Sequence, residues 1–323
     1  KWAEQFISVT TCDVCNGQRL NQEALHFYIN GKNISELANM ELSDLYEWIG
    51  NVEEHLEDKQ KQIAGEILKE IRTRLKFMLD VGLEYLSLNR QSMTLSGGES
   101  QRIRLATQIG SQLVNVLYIL DEPSIGLHQK DNRKLIHSLQ ELRDNGNSVI
   151  VVEHDKEMME NADYIVDLGP KAGRKGGEIT AIGGYSDILK SDSLTAQYLK
   201  GEKVIAIPAE RRAGNGKKIS LKGCTGNNLK NVSVDFPLGK LICVTGVSGS
   251  GKSSLVNGTL HPILSAYFYN ALAAPLPYKS IEGMTEIDKV VVVDQSPLGK
   301  SPRSNPATYT GLFTDIRKIF EKL

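Results

Sequence analysis

The eight residues GVSGSGKS at 246–253 constrain the fold more than any other part of this chain. They fit the pattern G-x-x-x-x-G-K-[ST], in which glycines let the backbone fold into a nest of N–H groups. The apolar run KLICVTG leads into them and the helical stretch SSLVNGTLHPIL follows. A helix N-terminus adds the positive end of its dipole at the same place. A strand, a glycine loop and a helix in this order predict an α/β domain that holds phosphate groups.

The side chains of this loop have distinct predicted roles toward a nucleoside triphosphate. Lys252 would reach the β- and γ-phosphates, and the hydroxyl of Ser253 would bind Mg²⁺. The predicted ATP-binding set comprises Gly246, Val247, Ser248, Gly249, Ser250, Gly251, Lys252, Ser253 and Ser254. A glycine-rich turn without a ligand is the alternative interpretation. The complete motif between a strand and a helix favours ATP with Mg²⁺.

A second candidate site lies earlier in the chain, in the stretch NVLYILDEP at 115–123. An apolar strand ends there in two acids, Asp121 and Glu122, and carboxylates at such strand ends face the ligand crevice of open α/β sheets. We predict that Asp121 holds Mg²⁺ and that Glu122 acts as general base on the attacking water. Taken alone, the acid pair fits a simple strand-end turn equally well.

The neighbouring motifs decide between these interpretations. LSGGES at 95–100 precedes the acid pair, and His154 ends the next apolar run, VIVVEH. Ser-Gly-Gly, then Asp-Glu, then His resembles the order found in ABC-type ATPases. That resemblance implies that His154 is catalytic with Glu122 and contacts the γ-phosphate from its own domain. It also implies a signature turn that caps a helix and contacts the γ-phosphate held by the opposite domain, formed by Ser96, Gly97, Gly98 and Glu99.

Two further features carry predicted metal ligands. Gln295, at the end of a further predicted strand, VVVD, resembles the ABC glutamine that contacts Mg²⁺, although a polar strand end is the alternative. Cys12 and Cys15 form a C-x-x-C pair that would place two thiolates on one edge of a tetrahedral Zn²⁺ site. Cys224 and Cys243 do not form a second pair, and we assign them to packing. The zinc site is therefore half present, or the pair arises by chance.

Composition places the chain among globular proteins. It has 323 residues, 40% hydrophobic and 24% charged, with no membrane-length apolar run and no signal-peptide pattern at its start. Four cysteines without a secretory signal favour a reducing, cytoplasmic compartment. The formal net charge is −1, so nucleic-acid binding would need a local basic patch. The basic residues of 202–230 form one candidate, although a solvated linker is the favoured interpretation of that stretch.

The pattern of apolar residues predicts an α/β class with two partial domains in tandem. Ile63, Ile67, Ile71, Leu75 and Leu79 recur every four residues and predict a packing face on a helix at 58–80. Seven further stretches are predicted as strands: NVLYIL, SVIVVE, ADYIVDLG, GGEITAIGG, KISLKG, NVSVDFP and KLICVTG. The predicted divisions are a Cys-pair element at 1–40, a helical signature region at 41–112, a catalytic α/β part at 113–202, a linker at 203–218 and a phosphate-loop part at 219–323.

Taken together, the motifs resemble the UvrA family of excinuclease ABC proteins from end to end. The matching stretches are CDVCNGQRL, LSGGESQRIRLATQIG, ILDEPSIGLHQKDN, VIVVEHD, GNNLKNV, GVSGSGKSSL and DQSPLGKSPRSNPATYTG. The family fuses two ABC ATPase domains in one chain. The resemblance therefore implies that the acid pair precedes the phosphate loop because the chain holds the end of one ATPase domain and the start of the next. We expect the missing halves before Lys1 and after Leu323.

The resemblance also implies a function and a set of partners. The two domains would pair head to tail, so that Ser96, Gly97 and Gly98 cap the nucleotide held by Lys252. The whole protein would use ATP to recognise damaged double-stranded DNA as a homodimer and to load UvrB, through a region outside this chain. Lys300 and Arg303 are candidate DNA contacts. A UvrA-like drug-resistance paralogue, a transporter ATPase, an SMC-like ATPase and a non-enzymatic binding module are the alternatives.

Overall fold

The computed structural model describes residues 11–109, 113–293 and 305–323. The chain divides into two compact units. The first contains the described residues of Lys1–Arg211 together with Cys243–Lys252, and the second those of Arg212–Ile242 together with Ser253–Leu323. The phosphate loop up to Lys252 therefore belongs to the same unit as the signature turn and the acid pair.

The first unit begins with a small hairpin and continues with four helices. Its hairpin pairs β1 (Tyr28–Ile29) antiparallel to β2 (Lys32–Asn33). The helices are α1 (Ile34–Asn39), α2 (Leu42–Asn51), α3 (Asp58–Asp80) and α4 (Gly97–Ile109). Asn33 begins α1 with a capping box, in which its side chain accepts from the Glu36 N–H and the Glu36 carboxylate accepts from the Asn33 N–H. The turn before α1 is thus fixed by local hydrogen bonds.

A parallel pair of strands follows and carries the candidate catalytic residues. β3 (Leu117–Asp121) pairs with β4 (Ser148–Val152), and α5 (Gln129–Asp144) forms the crossover between them. Parallel strands need such a crossover, and the amphipathic α5 buries Leu135, Ile136, Leu139 and Leu142. The register places Asp121 opposite Val152, so the two strands end side by side.

The helices and strands that follow β4 in the first unit pack around a second, smaller hydrophobic cluster. These elements are α6 (Lys156–Glu160), β5 (Ile165–Gly169), β6 (Glu178–Gly183), α7 (Tyr185–Lys190) and α8 (Leu194–Leu199). β5 and β6 pair antiparallel. Ile188, Ala196 and Leu199 form the buried centre of this cluster.

The second unit contains an antiparallel sheet in the order β8-β7-β9. These strands span Val232–Pro237 for β8, Lys218–Cys224 for β7 and Ser280–Glu282 for β9. α9 (Lys252–Leu255), a π-helical turn (Val256–Leu260) and α10 (His261–Tyr269) follow the phosphate loop, and α11 (Pro306–Tyr309) and α12 (Leu312–Phe320) come last. Ile219, Leu221, Phe236 and Ile263 are among the residues of its core. The mixture of helices and strands predicted from the sequence is confirmed.

Two apolar runs predicted as strands are not strands in the structure. Neither KLICVTG at 240–246 nor VVVD at 291–294, as far as residue 293, pairs with any strand of the described residues. Leu241 is fully exposed and Val293 is 92% exposed. A β-branched run becomes a strand only where another strand satisfies its backbone N–H and C=O groups, and the described part of the chain places no such strand beside these runs.

The predicted packing face of α3 is wrong in its first half. Leu75 is buried, but Ile63, Ile67 and Ile71 are exposed, and the buried partner of Leu75 is Leu68. A four-residue repeat drifts by about 40° per step around a helix of 3.6 residues per turn, so five such residues sweep about 160°. The seven-residue spacing of Leu68 and Leu75 stays on one face and meets the core.

No helix in the described parts of the chain is both long enough and apolar enough to span a lipid bilayer.

Truncating one buried and one exposed side chain of α3 to alanine tests this packing. Leu75→Ala should lower the free energy of unfolding by about 2–5 kcal/mol, because it leaves a cavity in the core of the first unit. Ile67→Ala on the same helix should change it by less than about 0.5 kcal/mol, because that side chain is 58% exposed. Urea unfolding followed by circular dichroism measures both, and equal losses would contradict the assigned face.

Candidate functional site

The phosphate loop has the backbone of an anion nest. Gly246, Gly249 and Gly251 have φ values of 147°, 75° and 98°, which only glycine adopts without strain. The Lys252 Nζ donates to the carbonyl oxygens of Gly246 and Val247, both at 2.8 Å. The ammonium group therefore lies folded back over the loop, at the position from which it can exchange two carbonyl acceptors for phosphate oxygens.

Hydroxyl groups around the loop are consistent with a polar ligand. The Ser248 Oγ is buried and has no hydrogen-bond partner within the described residues. A buried hydroxyl without a partner is costly, so the loop offers a donor that a phosphate oxygen would satisfy. In the second unit the Asn227 Nδ2 donates to the Ser254 Oγ at 3.0 Å, while Ser253 is exposed. The groups of the loop itself, the Lys252 ammonium and the Ser248 hydroxyl, therefore fit a phosphate ligand.

The signature turn is a capping box at the start of α4. The Ser96 N–H donates to the Glu99 Oε2 at 2.7 Å, and the Glu99 N–H donates to the Ser96 Oγ at 3.2 Å. The Tyr85 hydroxyl donates to the other carboxylate oxygen of Glu99 at 2.6 Å. Partial burial acts to raise the pKa of Glu99, but the bonds from Tyr85 and Ser96 and the charge of Arg102 outweigh it and lower that pKa. Glu99 is therefore held as a carboxylate.

The first turns of α4 are also tied to the end of β3. The Gln101 Nε2 donates to the Asp121 carbonyl oxygen at 2.7 Å. A Cβ at Gly98 would lie 2.7 Å from the Ile125 carbonyl oxygen, so only glycine permits this approach of helix and turn. Arg102 is 2% exposed and packs below the same turn.

The acid pair and the histidine meet at the ends of β3 and β4. Glu122 has φ 45°, a left-handed conformation that costs free energy in a non-glycine residue. Its Oε1 lies 3.5 Å from the His154 Nε2, and both side chains are accessible, at 45% and 81%. Asp121 is exposed at the last position of β3. The structure therefore brings together the two residues predicted to be catalytic.

Glu153 is a residue of this site that the motif analysis missed. Its Oε1 accepts from the Ser124 N–H at 2.9 Å, and its Oε2 accepts from the His154 N–H at 3.0 Å. One carboxylate thus joins the turn after Glu122 to the turn that carries His154. In the sequence, only its position next to His154 in VVEHD points to a role at the site. That signal is weak, because an acid at that position fits a solvated turn equally well.

Tyr85 is the second missed residue, and it contacts two of the predicted motifs. Its hydroxyl bonds to Glu99, as described above. Its ring lies against the phosphate loop, because a Cβ at Gly249 would lie 2.3 Å from the ring Cδ2. The surrounding sequence GLEYLSLNR carries no motif of its own, and only the fold places Tyr85 between signature turn and loop.

The cysteine pair forms a tight turn. The Asn16 N–H donates to the Cys12 carbonyl oxygen at 2.7 Å, and Asn16 and Gly17 have φ values of 46° and 80°. Hydrogen bonds from the backbone of Cys15 and Val14 lower the pKa of the exposed Cys12 thiol. Two thiolates fit one edge of a zinc tetrahedron, but the described residues bring no third histidine, cysteine or acid to them. They do not form a complete site.

Some predicted contacts cannot be placed. Gln295, Lys300 and Arg303 lie outside the residues that the structure describes. In the basic stretch 202–230, three lysines already form ion pairs: Lys217 with Glu286, Lys218 with Asp235 and Lys222 with Glu282. Paired lysines contribute little positive potential, so these three do not form a basic patch.

The chain is similar to known proteins in both sequence and structure. No protein-family model matches. The chain is 56% identical over 318 residues to UvrABC system protein A of a Synechocystis species, covering 98% of this chain and 33% of that protein. It is 53% identical to UvrABC system protein A of Thermus thermophilus, covering 99% of this chain and 34% of that protein.

The structural comparison agrees with the sequence comparison. The crystal structure of UvrA2 from Deinococcus radiodurans superposes with a TM-score of 0.85 at 42% identity, covering 96% of this chain and 38% of that one. The chain spans about a third of the length of the curated relatives it matches. The resemblance drawn from the motifs is confirmed: the chain belongs to the UvrA family and corresponds to about a third of the length of these relatives.

Proposed function

We propose that this chain is the ATP-binding bridge between two ABC ATPase domains of a DNA-damage-recognition protein in nucleotide excision repair. One observation carries the proposal: the phosphate loop and the signature turn lie in one compact unit, with the Tyr85 ring against Gly249 and its hydroxyl on Glu99. This is the composite arrangement expected when one domain holds a nucleotide and the other caps it.

Nucleotide binding follows from the geometry of the loop. The glycine nest presents N–H groups to phosphate oxygens, and Lys252 supplies the positive charge. Ser253 would offer its hydroxyl to Mg²⁺, which would neutralise charge on the phosphates. Ser96 and the first N–H groups of α4 would contact the γ-phosphate from the other side, aided by the helix dipole. ATP is thus held between two motifs of one chain.

The acid pair and His154 would serve a different nucleotide. In the head-to-tail arrangement, Asp121, Glu122 and His154 act on a phosphate loop that the chain does not contain. Glu122 would take a proton from the attacking water. His154, whose Nε2 lies 3.5 Å from the Glu122 Oε1, would contact the γ-phosphate of the same nucleotide. Asp121 would hold the Mg²⁺ of that nucleotide, whereas Gln295 would contact the Mg²⁺ of the nucleotide at Lys252. The chain therefore binds ATP but turns it over poorly.

The repair role rests on the family. The curated relatives are named UvrABC system protein A. We infer that the whole protein, as a homodimer in the cytoplasm, uses ATP to survey damaged double-stranded DNA and to load UvrB. Recognition would depend on phosphate contacts and on the deformability of the duplex rather than on base sequence, because lesions share no sequence.

We also propose that Cys12 and Cys15 supply two of the four thiolate or imidazole ligands of a structural Zn²⁺ site. Asn16 and Gly17, both with positive φ values, close the tight turn on which the two cysteines lie. A closed site would need two more ligands than the described residues supply.

Replacing the loop lysine tests the proposal directly. Lys252→Ala should weaken MgATP binding by about tenfold or more, because it removes a charge-assisted contact to the phosphates. Lys240→Ala, at an exposed lysine a few residues before the loop, is the matched control and should leave the affinity unchanged. Isothermal titration calorimetry on the chain measures both, and equal affinity of all three proteins would contradict the proposed binding site.

Glu122→Gln separates the two proposed nucleotide sites. This variant should bind ATP within about twofold of the wild-type affinity, because Glu122 serves the other loop. Phosphate release should be negligible in the wild-type chain, in Lys252→Ala and in Glu122→Gln alike. Robust turnover that Glu122→Gln abolishes would show that Glu122 and Lys252 share one site, and the head-to-tail assignment would be wrong.

The cysteine turn gives a prediction about pH. A thiol whose pKa is lowered carries more thiolate at pH 7, so iodoacetamide should alkylate Cys12 faster in the folded chain than in urea. The difference should shrink above the ordinary thiol pKa, where both forms are ionised. Mass spectrometry of tryptic peptides measures the rates. Zn²⁺ should slow the reaction, and Cys15→Ser should remove that protection; alkylation unaffected by Zn²⁺ would contradict the half-site.

A further inference from the structure

We infer that Tyr85 is a positioning residue that couples the signature turn to the phosphate loop and thereby favours ATP over ADP. The inference rests on the proposed function and names a side chain outside every motif of the sequence. Tyr85 would contact neither the nucleotide nor Mg²⁺. It would act through Glu99 on one side and through Gly249 on the other.

The hydroxyl of Tyr85 fixes the signature turn. It donates to the Glu99 Oε1 at 2.6 Å, while the Oε2 accepts from the Ser96 N–H at 2.7 Å. With one carboxylate oxygen held by Tyr85, the Glu99 side chain cannot rotate away from Ser96. The capping box therefore stays closed, with the Ser96 hydroxyl oxygen held on the Glu99 N–H in the first turn of α4.

The charges around the phenol keep it a hydrogen-bond donor. Burial and the hydrogen bond to Glu99 raise the pKa of Tyr85, so it remains protonated at every physiological pH. Arg102, 2% exposed, lies beside Glu99 and lowers the pKa of that carboxylate. A neutral donor beside a carboxylate and a buried guanidinium forms a compact network in which each group restrains the next.

The ring of Tyr85 fixes the phosphate loop. A Cβ at Gly249 would lie 2.3 Å from the ring Cδ2 and 2.6 Å from the ring Cγ, so the ring packs directly on the glycine backbone. Gly249 has φ 75°, which already favours glycine, and the ring excludes a side chain there for a second reason. The loop therefore cannot approach the signature turn more closely than one aromatic ring permits.

The two contacts predict different effects on the two nucleotides. The signature turn would contact only the γ-phosphate, which ADP lacks, whereas the loop holds the phosphates that both nucleotides share. Removing the hydroxyl should therefore weaken ATP alone. Removing the ring as well should weaken ATP and ADP together. A purely structural tyrosine would not change the ratio of the two affinities.

Calorimetry on the chain with β,γ-methylene ATP and with ADP, both with Mg²⁺, tests the inference. Tyr85→Phe should weaken the ATP analogue about three- to tenfold and leave ADP within about twofold, because only part of the stabilisation from the lost hydrogen bond is transmitted to the nucleotide. Tyr85→Ala should weaken both nucleotides. Tyr185→Phe is the matched control, because its hydroxyl donates to the Glu160 carboxylate at 3.1 Å, away from the loop, and it should change neither affinity.

The outcomes distinguish a failure of the role assigned to Tyr85 from a failure of the proposed ATP binding. If Tyr85→Phe binds the ATP analogue and ADP each as tightly as the wild type does, while Lys252→Ala is still impaired, the role of Tyr85 is overturned and the proposed function stands. A wild-type chain that binds neither nucleotide would overturn both. Thermal melting separates misfolding from positioning: Tyr85→Phe should still melt cooperatively, within a few degrees of the wild type. A lower melting temperature with an unchanged affinity ratio would show a structural role only.

A double-mutant cycle tests the ring contact by itself. Gly249→Ala should weaken ADP binding, because its Cβ collides with the ring and its φ becomes strained. Tyr85→Ala removes the collision, so Gly249→Ala should cost less in that background than in the wild type. Additive losses would show that the ring and the loop do not interact.

Discussion

The parallel pairing of β3 with β4 is the constraint on which the candidate site depends. Its register ends both strands at one level, with Asp121 opposite Val152. Only this alignment lets Glu122 approach His154 and lets Glu153 accept from the backbone of Ser124 and His154. A shift of one residue would move every side chain to the opposite face of its strand. The left-handed backbone at Glu122 is tolerated because the contacts on both sides of it hold the turn.

The helix α4 extends this order to the phosphate loop. Its first two turns carry Glu99, which bonds to Tyr85, and Gln101, which bonds to the Asp121 carbonyl oxygen. Gly98 lets the same helix approach the Ile125 carbonyl oxygen. A short rigid element thus touches the signature turn, the end of β3 and, through the Tyr85 ring, Gly249. Any movement of α4 changes the geometry at both ends of this path.

The sequence predicted those parts of the fold whose signals are local. The glycine loop at 246–253, the helix that begins at the signature turn and the helix at 58–80 each depend on neighbouring residues, and the structure contains all three. The apolar runs at 240–246 and 291–294 show the limit of such signals, because a strand also needs a partner. Tyr85 and Glu153 show a second limit: each acts on residues that only tertiary folding brings near. The roles assigned to individual site residues stay predictions until binding and turnover are measured.

The same distinction explains why Glu99 and Glu153 differ in how they could be recognised. Glu99 belongs to the S-x-x-E pattern, whose spacing alone predicts that the acid accepts a hydrogen bond from the backbone at the start of a helix. Glu153 uses both of its oxygens on backbone N–H groups, one from its own turn and one from a turn 29 residues earlier. A carboxylate that bridges two turns satisfies two donors at the rim of a site and holds those turns at a fixed separation. This arrangement keeps Glu122 and His154 close although both side chains are open to solvent, so the order of the site comes from the backbone beneath it rather than from burial of the catalytic groups.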